Sequence, residues 1–271
     1  MTSFLEAHEN CLYLLGLFYF SLLYFAAYHL LNLILPPHLR DANVVTFSMR
    51  LVGSLHSLAT CVSGVYIISR CRDDIMYERC WLANAMTKFC TFYFFIDLFV
   101  MYLSHLEQKR GREMGKKEHM TEGHRGGGND LADFFNQNKL MTFHHLVLPI
   151  VFGPFVVLRD GIGDFFVGAL YLVEASSPFV NLRAVLRSLE YQKTPLYIIN
   201  GILMMTVFFL CRIAIFPYLY HVYAGYEGIS VMAVPLAIPF KCNVGCLILM
   251  SMQIYWFTLM VKGLLRILRT G

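Results

Sequence analysis

Apolar residues gather into nearly charge-free runs, each long enough to cross a bilayer, which takes roughly 17–25 residues. Seven spans are predicted, over about 11–35, 46–69, 81–105, 140–158, 164–187, 196–221 and 241–262. Pro36 and Pro37 end the first, and Arg70 and Arg72 close the second. The stretch 228–240 is apolar but holds Pro235 and Pro239. It is too short and too broken to span alone, and reads as a half-buried loop or re-entrant piece. The fold class that follows is an all-α, polytopic helical membrane protein. Glu6 and Glu9, with no Lys or Arg, precede the first run, which is also too long for a signal-peptide core. It therefore reads as a retained helix.

One long polar segment, 106–139, interrupts the pattern. Its "GREMGKKEHMTEGHRGGGND" has charges and glycines but no apolar period, so a flexible loop is predicted. No Gly-Lys-Ser/Thr follows the glycines, which excludes a phosphate loop. After it, Asp130 is placed to cap a short amphipathic helix, "LADFFNQNK", lying at the membrane interface.

Composition agrees with a membrane protein. The chain is 57% hydrophobic and 15% charged, against about 25% charged in soluble domains. The distribution of Lys and Arg sets an orientation. Arg70, Arg72, Arg79 and Arg159 lie on the side of the N-terminus, 4 in all, against 14 on the other side. The second side is assigned to the cytosol, with segment 106–139 and the C-terminus. No basic stripe interleaved with aromatics points to nucleic acid. The eight cysteines form no C-x-x-C pair. Cys71 and Cys80 flank one short loop and are the one pair placed for a disulfide.

Ionisable residues inside spans are rare and mark functional sites by default. Here they include Arg50 and His56 in span two, Asp97 and His105 in span three, His144 and His145 in span four, Glu174 in span five and Arg212 in span six. Asp97, Met101 and His105 share one helical face, and Glu174, Ser177 and Asn181 form a polar stripe on span five. With Asn200, most of these fall in the cytosolic half or near mid-depth. Arg212 falls in the opposite half, where a structural pairing is expected. The competing reading is that such groups only hydrogen-bond helices together.

The adjacent pair His144–His145 is the most specific signal. Neighbours on a helix point about 100° apart, so they do not chelate one metal as an i, i+4 pair does, and no metal site is predicted. No G-x-S-x-G elbow supports a serine hydrolase. An adjacent pair suits an arrangement in which one imidazole acts as base or nucleophile and the other orients it. The sequence does not rank His144 against His145.

The segments "NKLMTFHHLVLPIV", "GDFFVGALYLVEASSPFVNL", "CRIAIFPYLY" and "AVPLAIPFKCNVGCLILMSMQIYWF" resemble the TLC (TRAM–LAG–CLN8) domain family. The resemblance covers about 40–265, leaving 1–39 as a lumenal N-terminus and first helix. It implies a six-helix core around a lipid-accessible cavity, with the first span outside it, in the endoplasmic reticulum or Golgi membrane. The family includes ceramide synthases, which join a fatty acyl group from acyl-coenzyme A to a sphingoid base. Their motif begins with a His pair, matched by His144 and His145, and continues with paired Asp residues. Glu174 occupies the first acidic position, but Ser177 or Pro178 stands at the second.

The resemblance thus implies a ceramide-synthase-type N-acyltransferase. His144, His145, Glu174 and Asp97 would be catalytic, and Arg50, His56, His105, Ser177, Asn181 and Asn200 would bind substrate. Acyl-coenzyme A is a co-substrate, and no cofactor is implied. The expected partners are membrane lipids, fatty acyl-coenzyme A and a sphingoid base. Association with like or unlike chains within the membrane is compatible with this. The alternative is a non-enzymatic lipid-binding protein or regulator of membrane composition, which explains the missing second Asp directly.

Overall fold

The structure is a computed structural model that describes residues 2–117, 129–159 and 161–270. Among the described residues every regular element is helical. Three long helices come first: α1 (Thr2–Ile34), α2 (Pro37–Arg70) and α3 (Trp81–Lys117). Next are α4 (Asp130–Gln137), α5 (Lys139–Val147), a π-helical turn over Leu148–Phe152, and α6 (Gly153–Val157). Then α7 (Asp164–Tyr171) runs through a 3-10 turn, Leu172–Ser176, into α8 (Ser177–Ser188). A second π turn, Phe209–Ala214, joins α9 (Pro195–Phe208) to α10 (Ile215–Glu227). The short α11 (Val234–Ala237) precedes α12 (Phe240–Thr270). Among the described residues, seven helical stretches are long and apolar enough to cross a membrane, close to the seven predicted runs. The chain is a multi-pass membrane protein.

The polar segment 106–139 is partly helical. α3 continues through it to Lys117, and 130–137 form α4; residues 118–128 lie outside the described residues. The cap of α4 is Asn129, whose side chain accepts the Leu131 N–H. Asp130 instead pairs with Lys109, as does Asp133 at 3.4 Å. The Lys109 ammonium bonded to it holds the Asp130 carboxyl below the usual carboxylate range. Phe134 is the buried side of α4, while Leu131 and Phe135 are exposed, as an interfacial helix requires. In the stretch 228–240, Val234 is buried, and Met232 and Leu236 are exposed.

Contacts divide the chain into two compact units, Met1–Leu55 with Asn84–Asp160, and His56–Ala83 with Gly161–Gly271. In the first, α1 buries one narrow stripe. Phe20, Tyr24 and Ala27, spaced i, i+4, i+7, pack against Met49, Val52, Cys90 and Tyr93. A Cβ at Gly16 would collide with the Phe89 carbonyl, so α1 meets α3 backbone to backbone. Leu14, Phe18 and Leu22 face outward. The first span is thus packed into this unit. At the end of α3, the Glu107 carboxylate accepts the N–H groups of Val45 and Thr46, at 3.1 and 3.2 Å, near the start of the second span.

In the second unit, α2 and α7 cross at Gly64 and Gly168. A Cβ on Gly64 would stand 2.6 Å from the Gly168 carbonyl oxygen, and one on Gly168 would stand 3.0 Å from that of Gly64. Small residues at such crossings let helices approach within van der Waals reach. Gly64→Val is expected to cost about 1–3 kcal/mol through overpacking. A lowered melting temperature of the detergent-purified protein checks this; an unchanged one contradicts the close crossing.

The loop between α2 and α3 is held by Asp74 and Asp164. Asp74 accepts the N–H groups of Tyr77 and Met76 and the Tyr226 hydroxyl. The Tyr77 bond is the leading reason its carboxyl sits below the usual range. A depressed folded pKa means this contribution is present above the unfolded pKa, about 3.9. It is lost as pH falls through the folded value. Asp164 accepts the Cys80 N–H at 2.6 Å. It follows Gly163, whose φ of 74° is left-handed and suits glycine. Cys71 and Cys80 are buried thiols rather than a disulfide.

Candidate functional site

Each unit carries a buried polar cluster. In the first, Asp97 of α3 is the hub. Its Oδ1 accepts the hydroxyl of Tyr24 from α1. Its Oδ2 lies 3.5 Å from His145 Nε2 of α5. His145 Nδ1 lies 3.3 Å from the Phe94 carbonyl oxygen. A carbonyl only accepts, so Nδ1 carries a hydrogen. Nε2 then faces the carboxylate with one proton between them. Facing one another in this way, imidazole and carboxylate share that proton, which leaves neither buried group without a partner. Both nitrogens of His145 are thereby engaged. His144 is also buried, with its ring centroid 5.7 Å from that of His145 and the planes at 75°. Arg50 counts Asp97 among its electrostatic neighbours.

The backbone beyond the pair is unusual for a stated reason. Pro149 and Pro154 lack N–H groups, so the ordinary i→i−4 ladder fails at both positions. The Gly153 N–H bonds the Leu148 carbonyl instead, a π-type i→i−5 bond. The π segment therefore starts directly below His144 and His145, and such segments are frequent at functional sites.

The second unit holds Glu174 and Arg212. Pro178 interrupts the fifth span into α7, a 3-10 turn and α8. The Ser177 N–H bonds the Glu174 carbonyl across that break. Ser57 at 3.4 Å and Ser177 at 2.7 Å donate to Glu174 Oε2, and Arg212 NH2 lies 3.6 Å from it. Arg212 also donates to Ser176, Ser177 and Gln253. It stands within the second π turn. A guanidinium satisfied on this many sides is a brace, as the structural pairing expected for it implies.

Of the residues singled out from the sequence, the structure joins Asp97 to His145, and Glu174 to Ser177. Arg50 and His105 belong to the first unit, and His56, Asn181 and Asn200 to the second. His56 is buried, 3.4 Å from Thr60 Oγ1. Asn200 donates to the Phe179 carbonyl at 2.9 Å. Sequence reasoning missed Tyr24, which is one of several tyrosines in an apolar run and carries no mark in the sequence. It also missed Lys88, buried in α3, although a lysine inside a span was a legible signal.

The TLC domain family model matches residues 46–262. The chain is a member of the TLC domain family. It is similar to TLC domain-containing protein 4 of Homo sapiens, 25% identical over 229 residues, 83% of this chain and 76% of that one. It is 32% identical over 127 residues to TLC domain-containing protein 4-B of Danio rerio, covering 46% of this chain and 47% of that one. The same-named protein of Xenopus laevis is 29% identical over 133 residues, 48% of this chain and 50% of that one. No solved structure matches the chain. The TLC domain begins inside α2, so Tyr24 lies outside it, while Asp97 and His145 lie within.

Proposed function

We propose that this TLC protein is an N-acyltransferase of ceramide synthase type. It joins a fatty acyl group from acyl-coenzyme A to a sphingoid base in the endoplasmic reticulum or Golgi membrane. The observation that carries the reading is the Tyr24–Asp97–His145 chain. With both of its nitrogens engaged, His145 has no lone pair for the substrate. In this reading the proton shared with Asp97 sits on His145, beside His144, which becomes the reacting imidazole.

The steps balance as follows. The neutral amine attacks the thioester carbonyl carbon, forming the C–N bond. His144 takes the amine proton as general base. The His145 charge stabilises the oxyanion of the tetrahedral intermediate, the usual largest contribution at such centres. Collapse breaks the C–S bond, and the proton held by His144 leaves on the coenzyme A sulfur. The basic loop side, assigned to the cytosol, is where a soluble anionic donor meets the lipid phase. In this reading Glu174 holds Arg212 rather than serving as an acid or base.

The satisfied Glu174–Arg212 network favours a second reading, a TLC-fold lipid-binding regulator without catalysis. Expression in cells stripped of their own ceramide synthases separates the two. The enzyme restores conversion of a labelled sphingoid base into ceramide. The regulator changes lipid composition without restoring that conversion.

A further inference from the structure

The hairpin of α8 and α9, within the second unit, holds an arginine that the Glu174–Arg212 network does not use. Arg183 stands on α8, close to the end of the fifth span at Ser188. Its guanidinium lies over the Tyr197 ring, 3.9 Å from the centroid, and Nη1 donates to the Tyr197 carbonyl at 3.2 Å. Tyr197 belongs to the first turn of α9, where the sixth span begins. A Cβ on Gly201, one turn further along α9, would collide with Nη1. Ring, carbonyl and glycine thus fix the plane of the guanidinium near the closed end of the hairpin.

The other edge of the fork stays open. Nε and Nη2 have no acceptor among the described residues. Arg183 is half-buried, and neither nitrogen is sealed inside the protein. Glu190 is the one acidic residue between 177 and 208. It stands exposed at a left-handed corner and forms no ion pair with Arg183. Further cations gather instead. Arg187 shares a face of α8 with Arg183 at i, i+4, and Lys193 stands on the connection to α9; both are exposed. A guanidinium within a span end reaches out to the level of the head groups and needs a counter-charge there.

The Nε–Nη2 edge matches two oxygens of one anion. A carboxylate would bring a single charge to three cations. A phosphate offers the same two oxygens, with further oxygens and a second charge to face Arg187 and Lys193. We propose that Arg183, fixed by Tyr197 and Gly201, anchors a binding site for a phosphate group at the membrane boundary. Two sources carry that chemistry, the head group of a membrane lipid and a soluble phosphate-bearing donor such as coenzyme A. The site does not depend on acyl transfer, since the first source suits a lipid-binding regulator and the second an acyltransferase.

The test uses the full-length protein in maltoside detergent, which contains no phosphate. Coenzyme A and a short-chain phosphatidic acid are titrated separately, with binding read by calorimetry. The wild type is expected to bind at least one of them saturably. Arg183→Gln is expected to weaken that binding by about 10–100-fold, the worth of a charge-assisted contact. Arg183→Lys keeps the charge without the planar fork and is expected to recover only part of the loss. Gly201→Ala keeps every charge and displaces only the end of a flexible side chain, so it is expected to stay folded and still weaken binding. It decides the matter if Arg183→Gln does not fold. Binding of coenzyme A bears out the site with a soluble donor as its source, and binding of phosphatidic acid alone bears it out with a lipid. A wild type that binds neither overturns the proposal and leaves Arg183 as a brace between α8 and α9. An affinity unchanged in both Arg183→Gln and Gly201→Ala, or fully kept by Arg183→Lys, also overturns it, because a diffuse basic surface then accounts for the binding.

Discussion

Arg212→Met destabilises the protein by about 3–5 kcal/mol, the cost of leaving a buried charge without its partner. The Arg212 and Glu174 side chains are only 9% and 20% exposed. Without the guanidinium, Glu174 keeps its bonds from Ser57 and Ser177 but loses its counter-charge. Ser176 and Gln253 also lose a donor. The loss is read as reduced folded yield and a lower melting temperature in detergent. Arg212→Lys recovers little, since an ammonium lacks the planar fork that reaches four partners at once. Adding Glu174→Gln to Arg212→Met recovers much of the stability, because no charge is then stranded. A double-mutant cycle measures that coupling. Additive effects in the cycle would show that the two side chains do not brace one another.

His144→Ala lowers the acyl-transfer rate by about 100–10,000-fold, the usual loss on removing a general base. The protein remains folded and membrane-inserted. His145→Ala acts differently. It removes the counter-charge of Asp97 and therefore lowers stability as well as rate. Asp97→Asn leaves stability less affected than His145→Ala, since the Tyr24 hydroxyl still finds an amide oxygen to bond. The distinction is read by pairing the rate with a melting curve for each variant. If His145→Ala lost only rate and His144→Ala lost stability, the roles assigned to the two imidazoles would be exchanged.

The seven spans were legible because long apolar runs have few other interpretations in a chain this poor in charge. The His pair and Asp97 were legible because ionisable groups in such runs stand out, but which of the two imidazoles Asp97 meets was not, since that depends on how α5 is turned against α3. Tyr24 was not. Its role depends on which stripe of α1 faces α3, and α1 is apolar all round. The Gly16–Phe89 contact that fixes this stripe is a tertiary fact. The extension of α3 to Lys117 was hidden for another reason. Its last turns carry glycine and charge with no apolar period, and periodicity is the signal a sequence reading depends on. The π turns were half visible. Pro149 and Pro154 announce a fault in the ladder after His145, but not that the Gly153 N–H would reach back five residues to repair it. Arg212 read as a structural pair, yet its partners could not be named, since Ser176, Ser177 and Gln253 come from different helices.

The most direct measurement of the central claim uses the purified wild-type protein in vesicles of defined lipid, free of every other acyltransferase. Labelled sphinganine is supplied with acyl-coenzyme A donors spanning medium to very long chains, and N-acylated product and released coenzyme A thiol are quantified together. The account predicts equimolar amide and thiol with at least one donor, and loss of both on His144→Ala. Absence of amide with every donor, from protein whose melting curve shows it folded, would contradict it and leave the lipid-binding regulator as the reading of this TLC protein.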